Sequence, residues 1–144
     1  MFRGRYEHTI DGKGRLSIPS KFREVLKDEY DSRLVVTTLD GCLIAYPHQE
    51  WLALEEKISA LPAFNKNTRS FLRNFYSSGV DCPIDKLGRI LVPQALREYA
   101  GLTKDVMLMG IFKQFEIWDK AAWQARESET TLEDISRTLE DLGI

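Results

Sequence analysis

The sequence is poor in the residues on which most catalytic and metal sites depend. It has two cysteines and two histidines among 144 residues. Cys42 and Cys82 lack a CxxC spacing and are predicted to be buried free thiols. His8 and His48 lie far apart in the sequence with no further ligand beside them, which argues against a zinc site. We therefore expect no metal ion and no other cofactor.

Long apolar runs and a secretion signal are also missing. The longest apolar stretches, such as residues 106–109, are far too short to cross a bilayer. Residues 1–20 carry charges throughout and have no apolar h-region. These absences predict a cytoplasmic protein without a membrane partner.

Common catalytic and nucleotide-binding signatures are absent as well. Residues 12–15 read GKGR, which fits neither the Walker A loop nor the dinucleotide fingerprint, and their glycines join two predicted strands. Asp11 and Asp85 are each followed four residues later by an arginine, and an adjacent cation keeps a carboxyl group ionised rather than tuned for proton transfer. The sequence gives no reason to expect an enzyme or a small-molecule substrate.

What the chain does contain is an internal repeat. Residues 10–19 read IDGKGRLSIP, and residues 84–93, 74 positions later, read IDKLGRILVP. Repetition at a fixed offset indicates one structural unit used twice, and units this small are marginal alone, so the two copies are expected to share a core. Further residues recur at nearly the same offset: Arg23-Glu24 as Arg97-Glu98, and Tyr46 with Trp51 as Trp118 with Trp123.

Each copy is predicted to pass from a tight turn into a strand, a short helix, a second hairpin and an aromatic-led helix. Within the turn only Gly14 recurs, as Gly88, which favours these two glycines for a left-handed backbone. Gln94 to Ala100 is predicted to be helical, with Gly101 ending the helix. Residues 64–78 are predicted to form a basic helix that links the copies.

The C-terminal tail is predicted to be an amphipathic helix. Thr130 and Glu133 fit a capping box, and apolar residues follow at helical spacing. The helix is expected to dock on the body, to dock on a neighbouring subunit, or to be loosely held. Its apolar residues are Leu132, Ile135, Leu139 and Leu142.

Charge is unevenly distributed along the chain. Residues 1–27 hold seven basic and three acidic residues, a net charge of +4, whereas residues 113–144 have a net charge of −4. One face of the protein is therefore suited to a polyanion, although a solvated surface with accidental asymmetry would give the same count.

The two arginines that leave the predicted turns are the main candidates for contacting a polyanion. The guanidinium groups of Arg15 and Arg89 can each grip a phosphate or the edge of a guanine at two atoms. Asp11 and Asp85 are placed to orient them. The alternative is that both Asp–Arg pairs only stabilise the turns.

Together these motifs resemble the MraZ family. The resemblance rests on the doubled Asp-x-x-Gly-Arg, the Pro-led helices, the opening MFRG and residues 101–104, GLTK, and it extends from Met1 to about Trp123. It implies an α+β fold in which two tandem AbrB-like (SpoVT-AbrB) repeats form an intrachain swapped-hairpin β-barrel with short flanking helices. The implied division is repeat 1 at 5–47, connecting helices at 48–75, repeat 2 at 76–119 and a helical tail at 120–144.

The resemblance also implies a function. It predicts a transcriptional regulator, expected to repress, that binds spaced promoter repeats in double-stranded DNA upstream of the division and cell-wall gene cluster, as a homo-oligomeric ring at the nucleoid. The alternative is an AbrB-like protein-interaction module whose tail binds a partner protein. Expected DNA-binding residues are Arg15, Arg89, Lys13, Lys86, Arg3 and Arg5, on turns built by Asp11, Gly14, Asp85 and Gly88.

Overall fold

The computed structural model describes every residue from Met1 to Ile144. Strands and short helices are mixed along the chain, which confirms the predicted α+β class. None of the helices has the length and apolar character needed to span a bilayer. In chain order the elements are β1 (Arg5–Thr9), β2 (Arg15–Ser17), α1 (Ser20–Glu29), β3 (Leu34–Leu39), β4 (Cys42–Pro47), α2 (His48–Ser59), α3 (Lys66–Phe71), a π-helical segment (Leu72–Tyr76), β5 (Val80–Asp81), β6 (Arg89–Leu91), α4 (Gln94–Ala100), β7 (Asp105–Ile111), β8 (Gln114–Asp119), α5 (Lys120–Glu127) and α6 (Leu132–Asp141).

Strands of the two repeats pair with each other. β1 of the first copy pairs with β7 of the second, and the short β5 of the second pairs with β3 of the first. β4 and β8 join these halves into a six-stranded antiparallel sheet of order β1-β7-β8-β4-β3-β5. β2 and β6 pair separately as a two-stranded ribbon. β1, β7 and β8 are equivalent to β5, β3 and β4, and replacing each strand by its equivalent leaves the order unchanged. Strands are thus exchanged between the two copies, as the fold prediction requires.

Both copies fill one hydrophobic core. A cluster of 20 buried residues combines the inner faces of the sheet, the ribbon, α1 and α4. The ribbon contributes Leu16 and Ile90, which are 0% and 1% exposed, and the helices contribute Phe22 and Leu96. Burying one such side chain stabilises the fold by about 1.5–3 kcal/mol. Neither copy could bury these residues from solvent without the other.

Most predicted elements are confirmed to within a few residues. α4 has its predicted bounds, and Gly101 ends it with a φ of 67°. The recurring aromatic pairs are in contact, with ring centroids 5.7 Å apart in one copy and 5.5 Å in the other. Cys42 and Cys82 are buried free thiols as predicted, and their burial raises the pKa of each to about 12. The basic linking helix is present, but its second half is π-helical.

The capping box predicted at Thr130 and Glu133 is wrong by one residue. The Thr131 hydroxyl accepts a hydrogen bond from the Asp134 backbone N–H at 3.1 Å, and the Asp134 carboxylate accepts one from the Thr131 N–H at 3.2 Å. The N–H of Thr130 is already bonded to the carbonyl of Glu127, in the turn that ends α5. The next helix therefore begins one residue later than the motif suggests.

The two tail helices differ in how they pack. Trp123 of α5 packs against Trp118 of the sheet. α6 buries no residue, so the docking on the body of the same chain that the sequence left open is not observed. Its apolar residues Leu132, Ile135, Leu139 and Leu142 are 84%, 52%, 42% and 68% exposed. The four-part division of the chain stays a prediction.

Candidate nucleic-acid interface

The ribbon formed by β2 and β6 presents both candidate arginines on one face. Leu16 pairs with Ile90 at its centre, and both side chains point into the core. Side chains alternate along a strand, so Arg15 and Arg89, the neighbours of this pair, project from the opposite, outer face. They occupy diagonal positions in the register, for which about 7–8 Å between the residues is typical.

The first turn, residues 11–14, holds Arg15 rigidly. One oxygen of the Asp11 carboxylate accepts hydrogen bonds from the backbone N–H groups of Lys13 and Arg15, at 3.0 and 2.9 Å. The other accepts from the Arg15 Nε at 2.7 Å. These bonds lower the pKa of Asp11 to about 2, with the largest effect from the Arg15 backbone N–H and the next largest from the Arg15 side chain. The predicted Asp–Arg brace is confirmed in this turn.

The second turn, residues 85–88, repeats the backbone pattern with a looser arginine. The Asp85 carboxylate accepts from the N–H groups of Leu87 and Arg89, at 2.9 and 3.0 Å, which lowers its pKa. The Arg89 Nε lies 3.4 Å from the carboxylate, with no hydrogen-bond partner. The brace is therefore an ion pair here and a hydrogen bond in the first turn.

Each turn is also supported by the other repeat. Gly14 and Gly88 have φ values of 91° and 78°, as the sequence predicted for these two positions. The Gly14 carbonyl accepts a bond from the N–H of Val92, and the Gly88 carbonyl accepts one from the N–H of Ile18. The turns are thus tied to the strand ends of the opposite copy.

A pair of equivalent arginines lies beneath these glycines. Arg97 of α4 donates from its Nε to the Val92 carbonyl at 3.0 Å and from Nη1 to the Gly12 carbonyl at 3.4 Å. Arg23 of α1 donates to the Ile18 carbonyl at 3.1 Å, and its side chain lies against Gly88. Sequence reasoning did not assign these arginines to the turns, although their recurrence at the repeat offset was the signal.

The remaining candidates divide into two groups. Lys13 and Lys86 lie exposed on the turns, and neither makes an ion pair within 4 Å. Arg3 and Arg5 do not lie near these lysines. β1 begins at Arg5 and runs towards the first turn, so Arg5 is at the end of the strand away from that turn. The Arg5 guanidinium instead pairs with Glu127 at 3.1 Å and lies 5.1 Å from the ring centroid of Trp123.

Two residues outside the predicted set share the outer face of the ribbon. Ser17 is exposed, and the side chain of Leu91 is 59% exposed. The alternation along each strand would have identified them once β2 and β6 were known to pair. Elsewhere, no three His, Cys, Asp or Glu side chains come together as a metal site.

Comparison with known proteins adds an independent line of evidence. The family described as "MraZ protein, putative antitoxin-like" matches residues 1–74 and, a second time, residues 75–142. The chain belongs to the MraZ family. A protein of Pediococcus pentosaceus named transcriptional regulator MraZ is 48% identical over 147 residues. Proteins of the same name from Desulfitobacterium hafniense and Caldicellulosiruptor saccharolyticus are 46% and 44% identical over 146 residues, and all three alignments cover 100% of both chains.

Membership in the MraZ family confirms the resemblance inferred from the repeated motif. The double match also agrees with two tandem copies in one chain. The names of the three relatives describe regulators of transcription rather than enzymes.

Proposed function

We propose that this protein is a sequence-specific transcriptional regulator that binds double-stranded promoter DNA through the outer face of its β2–β6 ribbon. The observation that carries the proposal is the placement of Arg15 and Arg89 on one exposed face, each beside an aspartate that orients it. The names of three relatives that cover the whole chain support the same class of function.

The dimensions and chemistry of the ribbon suit a DNA groove. The major groove, about 12 Å wide, admits a two-stranded β-ribbon. Arg15 and Arg89 could then bond to guanine edges or phosphates, while Ser17 offers a hydroxyl and Leu91 an apolar surface for a thymine methyl group. Lys13 and Lys86 would meet the flanking phosphates.

A single subunit offers few phosphate contacts, so its affinity should be weak and strongly salt-dependent. A homo-oligomeric ring would present several ribbons to spaced promoter repeats. Linking such contacts strengthens binding by roughly 10²–10⁴ without any new type of contact. The proposed setting is the nucleoid in the cytoplasm, with repression of the division and cell-wall gene cluster as the regulatory effect.

Footprinting on the DNA upstream of the protein's own gene, at two salt concentrations, tests the proposal. We expect evenly spaced protected repeats whose occupancy falls steeply as salt rises. Arg15→Ala should lose this protection while its assembly stays unchanged, and its unfolding midpoint should fall only slightly because the Asp11–Arg15 pair that it removes is exposed to solvent. Arg137→Ala is the matched control, because Arg137 also pairs with a carboxylate four residues earlier, at 3.7 Å from Glu133, far from the ribbon in sequence. Undiminished protection by Arg15→Ala would refute the assignment.

A second candidate function is a protein-interaction module that acts through the tail. The exposed apolar residues of α6 favour it, since nothing in the chain covers them. A chain truncated after Glu127 would then still bind DNA but lose a co-purifying partner protein. Loss of DNA protection instead would argue that the tail serves DNA binding.

A further inference from the structure

An apolar groove lies beside the β3–β5 edge of the sheet. It has a volume of about 790 Å³ and runs between the α3–π-helical segment on one wall and α4 on the other. Its apolar lining includes Leu39, Phe71, Phe75, Val80, Leu96 and Tyr99. Phe71, Val80 and Tyr99 are 36%, 37% and 49% exposed, so the groove is open and no part of the chain fills it.

The helical wall formed by residues 66–76 carries basic residues, all of them outside the lining of the groove. Residues 61–80 contain Lys66, Arg69 and Arg73 and no acidic residue. None of these three cations forms an ion pair within 4 Å, although Arg69 bonds to the Phe64 carbonyl. The groove therefore has an uncharged lining, and the helical segment that forms one of its walls carries positive charge on its exposed surface.

The α6 helix has the complementary properties. Its exposed apolar residues recur at intervals of three and four along one side, and Leu132 to Leu142 covers about 15 Å of helix. Residues 128–144 contain five acidic residues and one arginine, a net charge of −4. An amphipathic helix lying in an apolar groove is a recurrent mode of recognition, and opposite charges at the rim specify the pairing.

α6 does not line the groove of its own chain, although Tyr99, which does line it, accepts a hydrogen bond from the Gly41 N–H at 3.0 Å beside the end of α5. α5 ends beside the Asp40–Gly41 turn, where Arg126 bonds to the Asp40 carbonyl at 3.0 Å. The backbone N–H groups of Ser128, Glu129 and Thr130 are bonded to α5 carbonyls, so the joint that leads to α6 is turned and fixed. α6 buries none of its residues and contributes none to the lining of the groove.

From these observations we infer that α6 of one subunit docks in the groove between the π-helical segment and α4 of the next subunit. The inference rests on the proposed oligomeric assembly and names the surface that makes it. Donor and acceptor surfaces differ, so each subunit gives one helix and receives one, and the contact is head-to-tail. Contacts of this type close into rings when the rotation between subunits permits.

Two single substitutions in the full-length protein test the inference, one on each surface. Ile135→Asp places a charge in the apolar side of α6, and Ala95→Glu places bulk and negative charge in the groove. Both residues are exposed, so the far-UV circular dichroism of each variant should match that of the parent. We expect each variant to be monomeric by analytical ultracentrifugation, with self-association weakened at least about 100-fold. Arg137→Ala, on the opposite side of α6, should assemble like the parent.

Mixing the two variants provides the decisive measurement. The Ala95→Glu chain keeps an intact helix and the Ile135→Asp chain keeps an intact groove, so the mixture should form dimers and nothing larger. A mixture that stays monomeric would overturn the inference, and this is also the outcome if α6 folds back on its own groove. Variants that assemble like the parent would overturn it while leaving the oligomer intact. A monomeric parent would overturn the proposed assembly as well, whereas footprinting with Arg15→Ala separately tests the DNA-binding face.

Discussion

The two turns that flank the ribbon have the same backbone and different surfaces. Both use an aspartate to accept two backbone N–H bonds, and both place a left-handed glycine before the arginine. At the third position the first turn carries Lys13, whereas the second carries Leu87, which is 72% exposed. The arginine of the first turn is hydrogen-bonded to its aspartate at 2.7 Å, and that of the second is not.

This difference separates what the fold requires from what is free to vary. The aspartate, the glycine and the arginine are retained in both turns because they determine the path of the chain and the direction of the guanidinium group. The two intervening residues face solvent, so substitutions there cost little stability. We therefore expect the first turn to contribute more to DNA binding than the second, with similar contributions to folding.

Substituting the two glycines should give the largest effects and should separate the turns by stability. A Cβ at Gly14 would lie 2.5 Å from the Val92 carbonyl oxygen, whereas one at Gly88 would meet the flexible side chain of Arg23 at 3.0 Å. Both substitutions also force a positive φ on alanine. We expect Gly14→Ala to destabilise the protein by about 3 kcal/mol and Gly88→Ala by about 1–2 kcal/mol in urea unfolding at one protein concentration. Equal losses of stability in the two variants would show that the Val92 backbone moves away from the new methyl group as easily as the Arg23 side chain does.

Removing each arginine should separate the turns by DNA affinity. Arg15→Ala is expected to weaken binding to a promoter repeat by about 10- to 100-fold, the range for a lost bidentate contact. Arg89→Ala should weaken it less, because its guanidinium is held less tightly and its side chain is only 31% exposed. Fluorescence anisotropy with a short duplex measures both. A larger effect for Arg89→Ala would reverse the ranking of the turns.

Making the second turn resemble the first should bring a smaller gain. Leu87→Lys introduces the lysine that the first turn carries at this position, on a residue that is 72% exposed. If the new lysine meets one phosphate, the slope of log K against log salt should steepen by about 0.9 per subunit bound. Leu87→Gln is the control for loss of the leucine. An unchanged slope would indicate that the second turn lies away from the phosphates.

The smallest expected difference between the two turns is in how protein stability declines at acidic pH. The pKa of Asp11 is lowered to about 2, so its ionised form contributes stability above about pH 4, where the unfolded carboxyl group titrates, and this contribution is lost as pH falls towards 2. Asp11→Asn should therefore be less stable than the parent at neutral pH and show a flatter decline between pH 4 and 2. Asp85→Asn should alter the decline less, since Arg89 approaches its carboxylate only to 3.4 Å. Thermal melts across this range make the comparison.

Local features of the fold could be predicted from the sequence, and long-range pairing could not. The turn at Gly14, the end of α4 at Gly101 and the aromatic pairs depend on residues close in sequence, where each residue type has a definite backbone preference. Pairing of β2 with β6 joins strands more than 70 positions apart, and only the family resemblance suggested it. Alternation along Leu16 and Ser17 therefore could not reveal which other strand shared the outer face.

The candidate site shows the same limit. Arg15 and Arg89 could be chosen because each follows a turn whose chemistry is local. Only positive charge supports Arg5 as a candidate, and its side chain instead contacts α5, an element 115 or more positions away in sequence. Arg23 and Arg97 were recognised as repeats but could not be placed, since each supports a turn of the opposite copy. The sequence shows where a basic residue is, but it does not show whether an acidic residue of the same chain already pairs with that side chain.

The exchange of strands between two covalently joined copies has one more consequence. A dimer of identical single repeats would carry the same residues at both ends of its ribbon and would match DNA sites with twofold symmetry. Here Lys13 and Leu87 occupy equivalent places on one polypeptide, so the two ends of the ribbon can be told apart. Such a subunit has a polarity, and it can be aligned in a single direction along a non-palindromic sequence.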